Sequence, residues 1–313
     1  MRDIVINGVN VPAGKQVQIN IGISRLPTHT LIDLPVFVYR AKTDGPGLLL
    51  TAGIHGDEIN GIEVLRRLIQ EKALLPERGS VIAIPLVNVY GFIASSRNLP
   101  DGKDLNRCFP GTPGGSLGTR LAYILMSEVV PHVEYGVDFH TGGARIANYP
   151  QIRCTLDNDL TRQLAQAFNA PFTVQADMID KSFRKEASRK GKTILVYEGG
   201  ESLRLDEFAI EQGKLGVKRL MQYLAMRKHA ESPPPTTTVL RQNTWLRAKA
   251  SGIFNAFVDY GVPVSKNQPV ANITDPYGQA QVTLKSPYDG YVVGLNMMPV
   301  VNAGDALVHL GAE

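Results

Sequence analysis

Hydrophobic and polar positions along the chain change their spacing at several points, and the changes predict the secondary structure. Residues 1–40 alternate apolar and polar positions, as strands do. The apolar run 48–50 is followed by a glycine-flanked turn and then by apolar residues at helical spacing. A second apolar run spans residues 81–87. Strand, helix and strand in this order predict a βαβ unit with parallel strands.

Two further short apolar runs resemble the first, because each ends in a polar side chain followed by glycines. Residues 137–139 lead into His140, and residues 193–197 lead into Glu198. Helical spacing recurs over residues 119–130, 160–168 and 206–229, whereas residues 95–111 have the composition of a long polar loop. A loop of that length in a compact domain is usually functional or disordered.

The chain is predicted to divide into two domains. Residues 231–238 are rich in proline and threonine, which is typical of a linker, and residues 239–313 contain short alternating segments separated by turns. The prediction is a catalytic α/β domain over residues 1–230, a linker over 231–238 and a smaller all-β domain over 239–313. The segments 286–292 and 301–305 resemble the barrel-sandwich fold of biotinyl and lipoyl carriers, but no carrier lysine is evident, so a structural role is expected.

Composition excludes some classes of protein and leaves a globular protein. The 313 residues carry 33 basic and 29 acidic side chains, a mild excess that does not indicate a nucleic-acid partner. No apolar stretch approaches the ~18 residues of a membrane span, and no signal peptide is evident. The two cysteines, Cys108 and Cys154, form no Cys-x-x-Cys pattern, so we expect free thiols in a reducing cytoplasm.

The candidate chemistry begins at the turn after the first apolar run, which holds His55 and Glu58. Imidazole and carboxylate are good Zn²⁺ ligands, but a lone His-x-x-Glu is more often the start of a surface helix whose dipole favours the glutamate. His140 follows another strand and would complete a two-histidine, one-carboxylate set, which leaves one tetrahedral position open. Glu198, at the end of a third strand, is then the natural general base.

Four ordered motifs resemble the succinylglutamate desuccinylase/aspartoacylase family of the zinc carboxypeptidase superfamily. They are Gly53-Ile54-His55-Gly56-Asp57-Glu58, Asp104-Leu105-Asn106-Arg107, Asp138-Phe139-His140-Thr141-Gly142 and Tyr197-Glu198-Gly199-Gly200. The resemblance implies a mixed, largely parallel central sheet of the zinc-carboxypeptidase type. It also implies that one Zn²⁺ per chain is bound by His55, Glu58 and His140, and that Glu198 activates water and protonates the leaving amine.

The resemblance assigns other residues to the substrate. Arg97 matches the arginine that polarises the scissile carbonyl, and Asn106 with Arg107 matches the pair that binds a substrate carboxylate. The basic run 181–192 is read by default as a solvated loop, with attraction of an anionic substrate as the alternative and Arg189 as its candidate. Asp104 and Asp138 either support neighbouring site residues or are structural. The histidines without a motif are predicted to lie at the surface or to cap helices: His29, His132, His229 and His309.

Three functions compete at this stage. The first is zinc-dependent hydrolysis of the amide bond in a small N-acyl amino acid or N-acyl amine. The second is carboxypeptidase action on peptides, since Asn106 and Arg107 would serve either carboxylate. The third is a zinc-binding or ligand-binding protein without catalysis, which would not need Glu198. We favour the first, because a small C-terminal domain could narrow the cleft. The expected setting is a cytoplasmic enzyme without nucleic-acid or membrane partners, and a homo-oligomer is plausible.

Overall fold

The computed structural model describes residues 3–143, 145–228 and 236–313. The strands over these ranges are β1 (Val5–Ile6), β2 (Val9–Asn10), β3 (Gln16–Arg25), β4 (Leu31–Arg40), β5 (Thr43–Ala52), β6 (Arg78–Ile84), β7 (Tyr135–Gly142), β8 (Ile146–Cys154), β9 (Phe172–Gln175), β10 (Thr193–Glu201), β11 (Thr238–Leu240), β12 (Gln242–Arg247), β13 (Gly252–Ala256), β14 (Pro263–Val264), β15 (Pro269–Thr274), β16 (Gln281–Lys285), β17 (Gly290–Asn296), β18 (Val300–Val301) and β19 (Ala306–Ala312). The α-helices are α1 (Ile59–Gln70), α2 (Val89–Ile93), α3 (Leu117–Ile124), α4 (Asp159–Phe168), α5 (Phe183–Arg189) and α6 (Glu207–Tyr223). Short 3₁₀ turns cover Leu105–Arg107 and Val130–His132, and a π-helical turn covers Leu125–Val129.

One large mixed sheet dominates the fold and confirms the predicted α/β class. Within the described residues it has thirteen strands, and its main path runs β12-β19-β17-β8-β10-β7-β5-β6-β4-β3. The four central strands β10, β7, β5 and β6 are mutually parallel, and the flanking pairs along the path are antiparallel. The carboxyl ends of β5, β7 and β10 therefore meet at one edge of the sheet.

Apolar burial on both faces explains why the central strands are continuous hydrophobic runs rather than alternating ones. Residues 47–52 of β5 are all buried, as expected for a parallel strand covered on both faces. Helices α1, α4 and α6 cover one face, where Leu65, Phe168 and Leu220 join one apolar cluster. Helix α3, the π-helical turn and Phe183 of α5 cover the other. Among the described residues, no helix is long and apolar enough to cross a membrane.

The C-terminal strands form a β-sandwich that is continuous with the large sheet. A four-stranded sheet of β16, β15, β13 and β18 packs against β17 and β19 across a cluster that includes Phe254, Ile273 and Leu307. Strand β17 also pairs with β8, placing Gly294 opposite Asn148, and β11 pairs with β9. Backbone hydrogen bonds thus link the two predicted domains. The three-part division stays a prediction, and residues 231–235 of its linker lie outside the described residues.

The basic run before β10 differs from the loop expected by default. It contains helix α5, which begins after Ser182, whose side chain accepts a hydrogen bond from Lys185 N. Phe183 and Ala187, four residues apart, are both fully buried in one apolar cluster. One apolar residue per turn is therefore enough to pack this helix against the core. Arg184 is also buried, at 8% exposure.

Candidate active site

The turn after β5 places His55 and Glu58 immediately before helix α1. Gly56 has no room for a side chain, because a Cβ atom there would lie 2.0 Å from the carbonyl carbon of Gly91. Glu58 is the residue that precedes α1, but its side chain does not cap the helix. It turns instead toward the histidines and is 1% exposed. The helix-start alternative therefore explains the position of Glu58 and not the direction of its carboxylate.

Three side chains converge at the carboxyl edge of β5 and β7. His55 Nδ1 lies 2.8 Å from Glu58 Oε1, His140 Nδ1 lies 2.8 Å from Glu58 Oε2, and the two Nδ1 atoms are 3.3 Å apart. The ligand atoms of the three residues all lie within 4.8 Å of one another. All three residues are buried. This group could hold a metal ion.

The outer nitrogens of both imidazoles contact carboxylates, which fixes the tautomer that each ring adopts when it is neutral. His55 Nε2 lies 3.1 Å from Asp104 Oδ1, and His140 Nε2 lies 2.8 Å from Asp138 Oδ2. An ionised carboxylate only accepts, so each Nε2 donates, and in a neutral imidazole the lone pair is then on Nδ1. Thr51 Oγ1 in turn donates to Asp138 Oδ1 at 2.7 Å. Two lone pairs and a carboxylate therefore face one point, a donor set that fits a divalent cation such as Zn²⁺.

The same convergence shifts the pKa values of His55, Glu58 and His140. Burial disfavours a charged imidazole at His55 and His140, but the surrounding carboxylates outweigh it. Glu58 raises the pKa of His55, and Asp138 with Glu58 raises that of His140 well above its usual value. Burial opposes ionisation of Glu58 too, yet the two imidazoles hold its pKa well below the ordinary range.

Metal binding should consequently release protons near neutral pH. A raised pKa keeps both imidazoles protonated below that pKa, and Zn²⁺ must displace those protons to reach the lone pairs. We expect calorimetric titration of the chelator-stripped protein with Zn²⁺, in buffers of different ionisation enthalpy, to show proton release at pH ~7. The number of protons released should fall, and the apparent affinity should rise, as the pH passes above the raised pKa values. Tight binding at pH ~7 without proton release would contradict this assignment.

Arg97, Asn106 and Arg107 all line the cavity beside the three converging residues. Arg97 donates through Nη1 to Glu58 Oε1 and through Nη2 to Asp104 Oδ2, both at 3.0 Å. The amide of Asn106 accepts from Phe183 N through Oδ1 at 2.8 Å, which leaves its NH₂ group available as a donor. Arg107 is exposed and donates to Asn106 O at 2.7 Å.

Glu198 lines the same cavity and is held on both carboxylate oxygens. In the parallel register of β10 and β7 it lies opposite His140. Its Oε2 accepts from Asn148 Nδ2 at 2.5 Å, and its Oε1 lies 3.2 Å from Arg153 Nη1. Both partners come from β8, the antiparallel neighbour of β10. The sequence interpretation missed Asn148 and Arg153, and the only signal for them was the polar positions within residues 146–154.

The cavity has a volume of about 380 Å³ and includes residues that the sequence did not single out. Arg184 and Trp245 line it, and Arg189 is not among its lining residues. The guanidinium of Arg189 pairs with Glu186 at 2.6 Å and its side chain is 62% exposed. Arg184, five residues earlier, instead donates to the backbone carbonyls of Arg153, Ala176 and Asp177. The basic run therefore contributes a different arginine to the cavity wall.

The sequence can now be compared with known families. A sequence model of the succinylglutamate desuccinylase/aspartoacylase catalytic domain matches residues 44–224, which span β5 to the end of α6 and contain the three converging residues and Glu198. The chain belongs to this family. The recognition made from the four motifs is confirmed.

Members of this family align with most of the length of the chain. The N-alpha-acetyl-L-2,4-diaminobutyric acid deacetylase of Halomonas elongata is 29% identical over 294 residues, covering 88% of this chain and 84% of the relative. The succinylglutamate desuccinylase/aspartoacylase of Rhodobacter sphaeroides superposes with a TM-score of 0.83 at 26% identity, covering 96% of this chain and 95% of that structure. The product-bound ectoine utilization protein EutE (DoeB) of Ruegeria pomeroyi has a TM-score of 0.84 at 24% identity, covering 97% of both chains, and shows the shared fold.

Proposed function

We propose that this protein is a zinc-dependent amide hydrolase that removes the acyl group from a small N-acyl amino acid or N-acyl amine. One observation carries the proposal: Glu198, a carboxylate outside the His55–Glu58–His140 group, lies in the same cavity as that group. A binding protein without catalysis would need the three ligands and not this fourth acid. The family and the deacetylase relative support the same reaction.

His55, Glu58 and His140 would hold the metal ion, and Asp104 and Asp138 would keep both imidazoles in the required tautomer. A bound Zn²⁺ would supply a Lewis acid that polarises a carbonyl and lowers the pKa of water. The remaining steps belong to the chain's own side chains. They must accept a proton from water, stabilise charge on the carbonyl oxygen and hold the substrate.

Glu198 is the proton carrier in this proposal. As water oxygen bonds to the acyl carbon, Glu198 takes a proton from it, and it gives that proton to the nitrogen as the carbon–nitrogen bond breaks. Asn148 and Arg153 fix the direction of the carboxylate by holding one oxygen each. The products are a carboxylic acid and an amine, so all atoms of the water and the amide are accounted for.

Arg97, Asn106 and Arg107 provide the positive charges and the hydrogen-bond donor that a substrate needs. Arg97 uses two of its five N–H groups on Glu58 and Asp104, which holds its guanidinium beside the ligand group. The free NH₂ of Asn106 and the exposed guanidinium of Arg107 suit a substrate carboxylate. A substrate carrying a carboxylate next to its amide is consistent with the acetylated diamino acid named for the Halomonas elongata relative.

The decisive experiment combines metal reconstitution with a substrate panel. Protein stripped with a chelator and reloaded with Zn²⁺ is offered N-acetyl, N-succinyl and N-formyl amino acids, including N-alpha-acetyl-L-2,4-diaminobutyrate, in parallel with dipeptides. We expect N-acyl hydrolysis that depends on added metal and exceeds dipeptide hydrolysis. Faster cleavage of dipeptides would assign the protein as a carboxypeptidase instead. Absence of turnover on the whole panel at full metal loading would leave a metal-binding protein without this activity.

A further inference from the structure

The cavity that contains Glu198 and the His55–Glu58–His140 group is called the reaction cavity. A second cavity of about 270 Å³ lies beside it. The two share four lining residues, Arg153, Ala176, Asp177 and Trp245. Trp245 has the largest of these side chains. In the described chain it is also the one residue of the reaction cavity that comes from the C-terminal strands. One indole ring from outside the region matched by the family model therefore lines both spaces.

Packing holds this ring in place. Trp245 lies on β12, opposite His309 of β19. The two rings are stacked in parallel, with centroids 4.5 Å apart and an interplanar angle of 6°. His309 is only 3% exposed, so the structure corrects the prediction that it is a surface or capping histidine. His29 is exposed, and His132 is partly buried at the end of the 3₁₀ turn Val130–His132; His229 lies outside the described residues.

His309 is a neutral support for the indole. Burial and then the positive charge of Arg153 lower its pKa to about 3. Asn243 donates through Nδ2 to Gln175 O at 3.0 Å, so its Oδ1 is the acceptor for His309 Nε2 at 3.1 Å. The same asparagine ties β12 to β9 of the large sheet. The stack is thereby anchored to β9 of the catalytic region as well as to the pairing of β12 with β19.

We propose that Trp245 sets the length of the substrate that the reaction cavity accepts. This inference rests on the hydrolase function proposed above and names the residue that limits its substrates. The ring occupies the boundary through which a longer acyl chain or a longer amine would extend into the second cavity. Removing the ring would join the two cavities, and the His309 stack keeps it from swinging aside.

The test measures how rate depends on substrate length. Wild type and Trp245→Ala are compared on one series with a fixed amine and N-acetyl, N-butanoyl and N-hexanoyl groups, and on another with a fixed acetyl group and side chains of increasing length. In at least one series, we expect the ratio of kcat/KM for the longest member to that for the shortest to rise about 10-fold or more in Trp245→Ala, the lower end of the scale on which enzymes discriminate substrates that differ by a methylene. An unchanged ratio in both series would overturn the proposal.

Two further variants control for damage to the fold. Tyr277→Ala removes an aromatic ring of the C-terminal domain that is 84% exposed and lines neither cavity, and it should keep the wild-type ratio. Trp245→Phe keeps a smaller ring and should give an intermediate ratio. If circular dichroism shows that Trp245→Ala does not fold, the comparison is made with Trp245→Phe instead. Equal increases in all three variants would point to general loosening and contradict a boundary role.

A binding measurement separates this inference from the proposed function. Trp245 is the one tryptophan of the chain, so intrinsic fluorescence reports on it directly. Hexanoate and L-2-aminooctanoate, which represent the long products of the two series, are titrated beside acetate and alanine. A change in emission with a long product and not with a short one supports the boundary role even if wild type hydrolyses nothing. Absence of any change in emission with either long product, up to the limit of its solubility, would contradict the boundary role.

Discussion

Glu198→Gln should lower kcat for N-acyl hydrolysis by at least ~100-fold, the contribution expected of a positioned general base. Glutamine preserves the shape of the side chain. Its Oε1 can accept from Arg153, and its NH₂ can donate to Asn148 Oδ1, which has no partner among the described residues, once the Asn148 amide turns over. Glutamine cannot accept and return a proton. Metal content measured by inductively coupled plasma mass spectrometry should equal that of wild type, and the loss should fall on kcat more than on KM.

Glu201→Gln is the matched control for this variant. Glu201 lies three residues further along β10, is also largely buried and pairs with Arg204 at 3.0 Å. It should retain activity close to wild type. Near wild-type turnover in Glu198→Gln would mean that another group carries the proton. Loss of metal from Glu198→Gln would mean instead that Glu198 belongs to the ligand group.

Glu58→Gln is expected to remove both metal binding and activity. The carboxylate of Glu58 contacts both imidazoles, Arg97 Nη1 and the backbone N of Thr141, and the substitution takes away the negative charge that all of these groups face. Losing an outer hydrogen-bond partner of a metal ligand costs about 10–100-fold in affinity, so loss of the ligand itself should weaken Zn²⁺ binding by more than ~100-fold. Competition against a chelating indicator dye measures this directly.

Glu63→Gln provides the comparison on the same helix. Glu63 lies in the second turn of α1, where hydrogen bonds from Arg66 and Arg67 lower its pKa to about 2. Its substitution should cost a little stability and leave metal affinity unchanged. If Glu58→Gln bound Zn²⁺ as tightly as Glu63→Gln does, the carboxylate would not be a ligand, and the histidine pair would need a different third partner.

Local sequence signals located the centre of the site because its residues lie near or just after the carboxyl ends of parallel strands. His55, His140 and Glu198 each come after an apolar run bounded by glycines, and parallel neighbours place such positions side by side. The register of β7 with β5 and with β10 does so here. The positions of these residues near strand ends were therefore sufficient to predict that they lie close together.

The rest of the site depends on pairings between distant segments, which no local pattern reports. Arg153 reaches Glu198 because β8 runs antiparallel to β10, with Arg153 opposite Val196. His309 looked like an isolated surface histidine, and only the packing of β19 beneath Trp245 buries it. Arg184 was one of several basic residues in a run, and its burial follows from the seating of α5.

The pairing of β8 with β17 has a consequence for how this protein can be shortened or rearranged. The strand that holds Asn148 and Arg153 beside Glu198 is paired along its first residues with a strand from the last quarter of the chain. A fragment ending near residue 230 would leave that part of β8 as an open edge, which invites pairing with other chains. The C-terminal region therefore supports the strand that orients Glu198, and replacing that region should also disturb the orientation of this carboxylate.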